Sequence, residues 1–240
     1  MNVNEVAGAN FDKHLKQNPY PGRGLVLGEA TDDTWVMIYW IMGRSTNSRN
    51  RRFVAEAGIL RTEPVDASLV ADPSLIIYEA MLELPSVYLA SNGDQTRSMY
   101  ETLKTGGTLE DAMAKREREP DAPNFTPRIS GMFSVEDSSV STVLSILKAN
   151  PIDPAFTDRF TYRPAMPQAG YGVGLTTYSG DGDPLPSFSG EPLLLPCHGK
   201  PQEILEYYWN ALNPENRVSL AVKEIFVPDG RSKIHLINRF

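Results

Sequence analysis

The order of elements legible in the 240-residue sequence predicts an α+β fold, with strands at both ends of the chain and helices between them. Two further observations support that class. The run Thr34–Met42 (TWVMIYWIM) is apolar on both faces, as a strand buried between two layers must be. No internal repeat interrupts the chain, and no linker is long enough to separate a pair of domains. Residues 18–240 therefore read as one domain behind a polar leader of residues 1–17.

Residues 24–28 start the first strand, and the turn-like Thr31-Asp32-Asp33 separates it from the apolar run. A third strand is expected over 53–60. Pro73 opens a helix running to Leu82, since a missing N–H costs nothing in a first turn. Residues 87–90 form a short buried strand that stops at Ser91-Asn92-Gly93-Asp94. Thr96, Met99, Tyr100 and Leu103 recur at helical spacing until Gly106-Gly107 ends the run. Thr108 with Asp111 makes a capping-box pattern for the next helix, which Pro120 must terminate. Residues 129–133 read as a strand, and Val140, Val143, Leu144 and Leu147 mark an amphipathic helix ended before Pro151. From 151 to 196 the abundance of Pro, Gly, Asp and Ser leaves one expected strand, 173–178. Pro201 begins a helix with an apolar stripe of Ile204, Leu205, Tyr208, Trp209 and Leu212. Residues 218–227 and 233–237 close the chain as a hairpin around Pro228-Asp229-Gly230.

Thirty acidic against 23 basic residues give a formal charge of −7, which opposes general affinity for nucleic acid. No apolar run reaches the roughly 20 residues of a membrane span. The first residues lack the basic-then-apolar order of a secretory signal. A single cysteine, Cys197, excludes an internal disulfide and suits a reducing cytoplasm. No G-x-S-x-G elbow and no Walker loop is present. His14, His198 and His235 are scattered, and the side chains of Cys197 and His198 diverge in extended chain, so neither a metal site nor a dyad is expected. Gly170-Tyr171-Gly172-Val173-Gly174 lacks the helix of a dinucleotide fingerprint and reads as the start of a strand. Asp181-Gly182-Asp183 reads as a turn rather than a calcium loop.

Against this acidic background, residues 39–53 (YWIMGRSTNSRNRRF) hold four arginines in nine positions, with no acid between Asp33 and Glu56. Arginine's planar fork of donors fits phosphate or carboxylate, and Ser45, Thr46, Asn47, Ser48 and Asn50 add neutral donors. The cluster points to an anionic ligand; the alternative is a set of surface arginines paired with acids elsewhere in the chain.

Three other stretches bear on that choice: Pro19-Tyr20-Pro21-Gly22-Arg23-Gly24, Ser91-Asn92-Gly93-Asp94-Gln95-Thr96 and Asn124-Phe125-Thr126-Pro127-Arg128-Ile129. With Gly43-Arg44-Ser45 and Ser48-Arg49-Asn50-Arg51, their order and spacing resemble the archaeal-type IMP cyclohydrolase family and its bacterial relatives. The resemblance covers roughly residues 18–240 and is strongest before Gly131.

It implies a single-domain, four-layer αββα sandwich of the N-terminal-nucleophile-hydrolase kind, without self-cleavage. An opening Met-Asn-Val-Asn, which offers no Ser, Thr or Cys nucleophile, is in keeping with that. It further implies a cytoplasmic enzyme of purine synthesis that closes formamidoimidazole carboxamide ribonucleotide to inosine monophosphate (IMP) and water. The small-molecule partner would be a purine ribonucleotide, with no metal or organic cofactor, and homo-oligomerisation is left open. The family's tyrosine matches Tyr78, although its Asn-Pro-Tyr start reads Asp72-Pro73-Ser74 here with one extra residue. Glu119 takes the place of a family acidic residue, with Asp121 the competing candidate. Arg44 falls to the reacting end or the phosphate, and Arg49 and Arg51 to the phosphate. Arg23, Ser45, Asn50, Asn92, Asn124 and Arg128 fall to substrate binding or its support. A purine-nucleotide binding or regulatory protein that keeps the pocket without turnover is the alternative reading, and an amidohydrolase on the same sandwich a third.

Overall fold

The structure, a computed structural model, describes residues 2–31, 34–70, 77–136 and 139–240. Two antiparallel sheets make its centre. The first contains β1 (Gly24–Thr31), β2 (Thr34–Met42), β10 (Tyr171–Thr176), β11 (Leu193–Pro196), β12 (Arg217–Phe226) and β13 (Arg231–Asn238), in the order β11-β10-β1-β2-β12-β13. The second is a meander of β3 (Arg52–Glu56), β4 (Ile59–Glu63), β5 (Glu79–Leu84), β6 (Val87–Ser91), β7 (Arg128–Glu136), β8 (Ser139–Ala149) and β9 (Thr157–Tyr162). Helices α1 (Val3–Phe11) and α5 (Pro201–Ala211) cover the first sheet, while α3 (Gln95–Lys104) and α4 (Leu109–Ala114) cover the second. A one-turn helix, α2 (Thr46–Arg49), lies in the loop after β2. Among the described residues no helix is long and apolar enough to cross a membrane.

The layering follows from strand alternation. Along β2, Tyr39 turns to the second sheet, its ring centroid 5.5 Å from that of Phe53, while Trp40 turns outward to Tyr208 of α5 at 6.1 Å. Within β8, Leu144 and Ile146 join the core between the sheets. Val143 and Leu147 point the other way and pack with Met99, Leu109 and Met113 under α3 and α4. A strand with both faces buried leaves no period of two in its sequence, so its apolar spacing matches a helix by accident. For that reason the amphipathic helix expected around 140–147 is wrong: those residues are β8, paired with β7 from Arg128↔Leu147 to Glu136↔Ser139.

Three other expectations change. The strand expected at 53–60 is a hairpin, because Ala57 (φ 47°) and Gly58 (φ 80°) supply the two left-handed residues of a tight turn between β3 and β4. The helix expected from Pro73 to Leu82 begins outside the described residues, as does the turn at Asp32 and Asp33; its second half is strand β5, paired with β6. The segment after Pro151 contributes three strands, β9 to β11, where one was expected. The capping box of Thr108 and Asp111 forms as expected, and α4 ends at Ala114, before Pro120. The expected strands at 24–28, 87–90 and 129–133, the helices at 95–104 and from Pro201, and the closing hairpin are all present.

Residues 3–16 of the polar leader are helical, with Phe11 and Leu15 fully buried. The Phe11 ring stacks on Tyr207 at 4.5 Å and meets the edge of Tyr208 at 5.1 Å. Phe11→Ala should therefore cost about 3–5 kcal/mol in denaturant unfolding, the usual scale for emptying a buried aromatic site. A loss below about 1 kcal/mol would make α1 peripheral to the core.

Candidate active site

The site is built where the chain enters β1 and leaves β2. Gly22, at φ 74°, lies so close to the end of β10 that a Cβ there would meet Thr177 Oγ1 at 2.2 Å. The next residue, Arg23, donates its amide to the same Thr177 oxygen at 3.1 Å, which aims its side chain inward. After β2, Ser45 caps α2: its Oγ accepts from the Ser48 amide at 3.1 Å, and Ser48 Oγ accepts from the Ser45 amide at 2.9 Å. The turn this makes presents the Ser48 carbonyl to Arg51 Nε at 2.9 Å, folding Arg51 beneath the loop with only 4% of its surface exposed.

Arg23 and Arg51 line a cavity of about 400 Å³ together with Tyr20, Arg44, Ser45, Glu119, Asp121, Asn124, Thr126 and Tyr178, among others. Glu119 is buried, and its Oε2 lies 3.8 Å from Arg23 Nη2. Burial raises its carboxyl above the usual range against the opposing pull of Arg23, Arg128 and Arg51. Burial opposes the charge on Arg23 too, but Glu119 and the phenols of Tyr78, Tyr178 and Tyr39 hold that guanidinium above its ordinary value. Arg51 is lowered, first by burial and then by the like charge of Arg23. Arg23 Nε and Arg51 Nη1 are buried donors with no hydrogen-bond partner among the described residues.

A pair of buried phenols near Arg23, Tyr39 and Tyr78, stands behind the cavity without lining it. Tyr39 Oη and Tyr78 Oη are 2.8 Å apart, so one proton bridges them and the second is free to be donated. Tyr78 is held by Thr62, whose Oγ1 accepts from the Tyr78 amide at 3.0 Å. At the mouth, the Arg44 guanidinium lies 5.0 Å from the centre of the Tyr20 ring. It donates to the Gly182 carbonyl at 3.0 Å and pairs with Asp181.

A family model described as IMP cyclohydrolase-like protein matches residues 20–227. The chain belongs to the IMP cyclohydrolase-like family. No curated protein matches it. Membership gives the chain an IMP cyclohydrolase-related role and implies a purine nucleotide as substrate. The matched span takes in every cavity residue named above and omits α1.

The cavity receives only some of the arginine cluster. Arg49 turns away, its Nε donating to the Gly43 carbonyl at 2.9 Å and its Nη2 to Asn216 at 3.2 Å. Asn50 clamps the loop instead, exchanging hydrogen bonds with the backbone of Asp66 at 2.7 and 2.8 Å. Asn92 donates to the Pro127 carbonyl and accepts from the Ile129 amide, both at 2.8 Å. Arg128 donates to the Glu117 carbonyl at 2.9 Å and pairs with Asp94. These two brace the backbone on either side of Glu119 and the Asn124 motif without lining the cavity. Asn124 does line it, and its Oδ1 accepts from the Leu185 amide at 2.9 Å. Among the described residues no three His, Cys, Asp or Glu side chains group to hold a metal ion.

Tyr20, Thr126 and Tyr178 are cavity residues that sequence reasoning missed, as it missed Tyr39, the partner of Tyr78. Tyr20 and Thr126 sit inside two of the quoted motifs, and Tyr39 is the phenol in a strand otherwise apolar on both faces. Nothing around Tyr178 marks it.

Tyr178 makes the burial testable. Burial pushes its phenol up to about 12, against the lowering influence of Arg23 and of its hydrogen bond to Thr126. The unfolded chain loses that proton near pH 10, so between about 10 and 12 the folded state binds more protons and stability falls as pH rises. Urea unfolding over this window should show a slope shallower by up to about 1.4 kcal/mol per pH unit in Tyr178→Phe. Equal slopes would mean that the phenol titrates as freely as in the unfolded chain.

Proposed function

We propose that the chain is an IMP cyclohydrolase, closing formamidoimidazole carboxamide ribonucleotide to IMP with loss of water as the last step of de novo purine synthesis. The observation that carries the reading is that Arg23 and the buried Arg51 line one cavity beside the buried carboxylate of Glu119, in a chain of this family. Such a cavity suits a ligand that brings negative charge and accepts hydrogen bonds.

In the reaction the carboxamide nitrogen attacks the formyl carbon, forming the ring C–N bond and leaving charge on the formyl oxygen. The attacking nitrogen then gives up one proton and the formamido nitrogen another, the oxygen takes both, and water departs as the ring C=N bond forms at the formamido nitrogen. Both reacting groups sit on one imidazole, so positioning supplies much of the acceleration. Tyr78 donates the spare proton of the Tyr39–Tyr78 pair to the developing oxyanion. Glu119, whose carboxyl is raised by burial, carries the proton from nitrogen to the departing hydroxyl. Arg23 steadies Glu119, and Arg51 with Arg44 at the mouth anchors the phosphate.

These steps call for no metal or organic cofactor. The sandwich is then the layering of the N-terminal-nucleophile hydrolases, used without self-cleavage, and such an enzyme works in the cytoplasm.

The test is direct assay with the formylated ribonucleotide, following IMP by absorbance. Turnover is expected in the wild type, and a loss of roughly a hundredfold or more in Tyr78→Phe, the scale of one oxyanion donor. IMP affinity and melting temperature should change little in that variant, since ring and phosphate contacts remain. IMP binding without any turnover would favour a nucleotide-binding protein instead, and a Tyr78→Phe variant at wild-type rate would remove Tyr78 from the chemistry.

A further inference from the structure

One chain of hydrogen bonds on the cavity wall has no role in the scheme above. Asp121 spends both carboxylate oxygens on Thr126: Oδ1 accepts from the Thr126 amide at 2.7 Å and Oδ2 from its hydroxyl at 2.5 Å. An ionised carboxylate only accepts, so the single Thr126 hydroxyl proton points at Asp121. Thr126 Oγ1 also lies 2.6 Å from Tyr178 Oη, and with its proton committed it accepts there. The Tyr178 proton is thereby committed in turn. What the phenol oxygen keeps is lone-pair capacity, with no proton to give. The ring cannot swing away, because it is buried and stacks on Tyr20 at 5.9 Å and 22°.

This polarity is the reverse of that of the arginines around it. Of its neighbours on the cavity, Arg23, Arg44 and Arg51 offer N–H groups only, and Glu119 is a charged acceptor where Tyr178 is a neutral one. Tyr178 is a fixed acceptor on the same cavity.

We propose that Tyr178 is a specificity-determining residue: its phenol oxygen accepts a hydrogen bond from an N–H or O–H donor of the bound purine nucleotide, and Asp121 and Thr126 are positioning residues that set this polarity. The inference rests on the nucleotide reading above and deepens it. It divides the ligand into acceptor groups that meet the guanidiniums and a neutral donor that meets Tyr178. Both the base N1–H and the ribose 2′-hydroxyl of IMP have that chemistry.

Calorimetric binding of three probes to wild type, Tyr178→Phe and Thr126→Val tests it. The probes are IMP, its 2′-deoxy analogue, and purine riboside 5′-monophosphate, which lacks the N1–H. Wild type should bind one analogue at least about fivefold more weakly than IMP, the lower end for leaving a buried acceptor unpaired. That analogue identifies the donor. Tyr178→Phe should bind IMP and the same analogue within about twofold of each other, and Thr126→Val, which frees the Tyr178 proton, should narrow or reverse the preference. A preference kept in Tyr178→Phe, or no preference in the wild type, overturns the inference while leaving the nucleotide reading standing. A wild type that binds none of the three overturns the nucleotide reading, and this inference with it.

Discussion

Two guanidinium groups buried against one carboxylate are the constraint on which the site depends. Taking a charge out of water costs several kcal/mol unless it is paired and its hydrogen bonds are filled. Here Glu119 faces both Arg23 and Arg51, and among the described residues two of their N–H donors have no partner. The neighbouring structure is arranged to tolerate that. The Ser45 cap turns the Ser48 carbonyl onto Arg51, Thr177 fixes the backbone of Arg23, and phenols stand where an apolar core would have placed phenylalanine. On the reading proposed above, the cavity these two guanidiniums line is where the anionic substrate binds.

The same fold shows how it buries a cation when none is needed for binding. Lys223 of β12 is fully buried between the sheets, yet its Nζ donates to the Gly58 carbonyl at 2.8 Å and pairs with Glu83. Glu83 also accepts from Ser232 Oγ at 2.8 Å, and the Tyr88 ring lies 5.5 Å from the ammonium. Burial lowers the Lys223 ammonium even so, with Glu83 opposing. Lys223 is compensated by its own chain; Arg23 and Arg51 are compensated incompletely. That difference between the ends of the core is the physical mark of function.

Sequence patterning was most informative where one face of an element meets water. The stripe of α5 and the Thr108 cap of α4 were legible for that reason. β5 and β8 were not, because strands buried on both faces lose their alternation. In the site, four arginines without an acid nearby single out the loop after β2 as a candidate for binding an anion. Which of them turn inward could not be read there, since that is decided by the one-turn helix that sends Arg51 under the loop and Arg49 toward Asn216. The Tyr178 chain was invisible for another reason. Its three members, at positions 121, 126 and 178, meet only because β10 brings the end of one segment against the loop of another.

The central claim is that the buried charge of Arg51 is matched by a ligand and not by the fold. Thermal unfolding of wild type and Arg51→Met, each with and without IMP, tests it most directly, because methionine keeps the buried stem and deletes the charge. The account predicts that Arg51→Met without nucleotide melts no lower than wild type, and that it loses most of the upward shift IMP gives the wild type. An unliganded Arg51→Met that melts well below wild type while keeping the full IMP shift would contradict it.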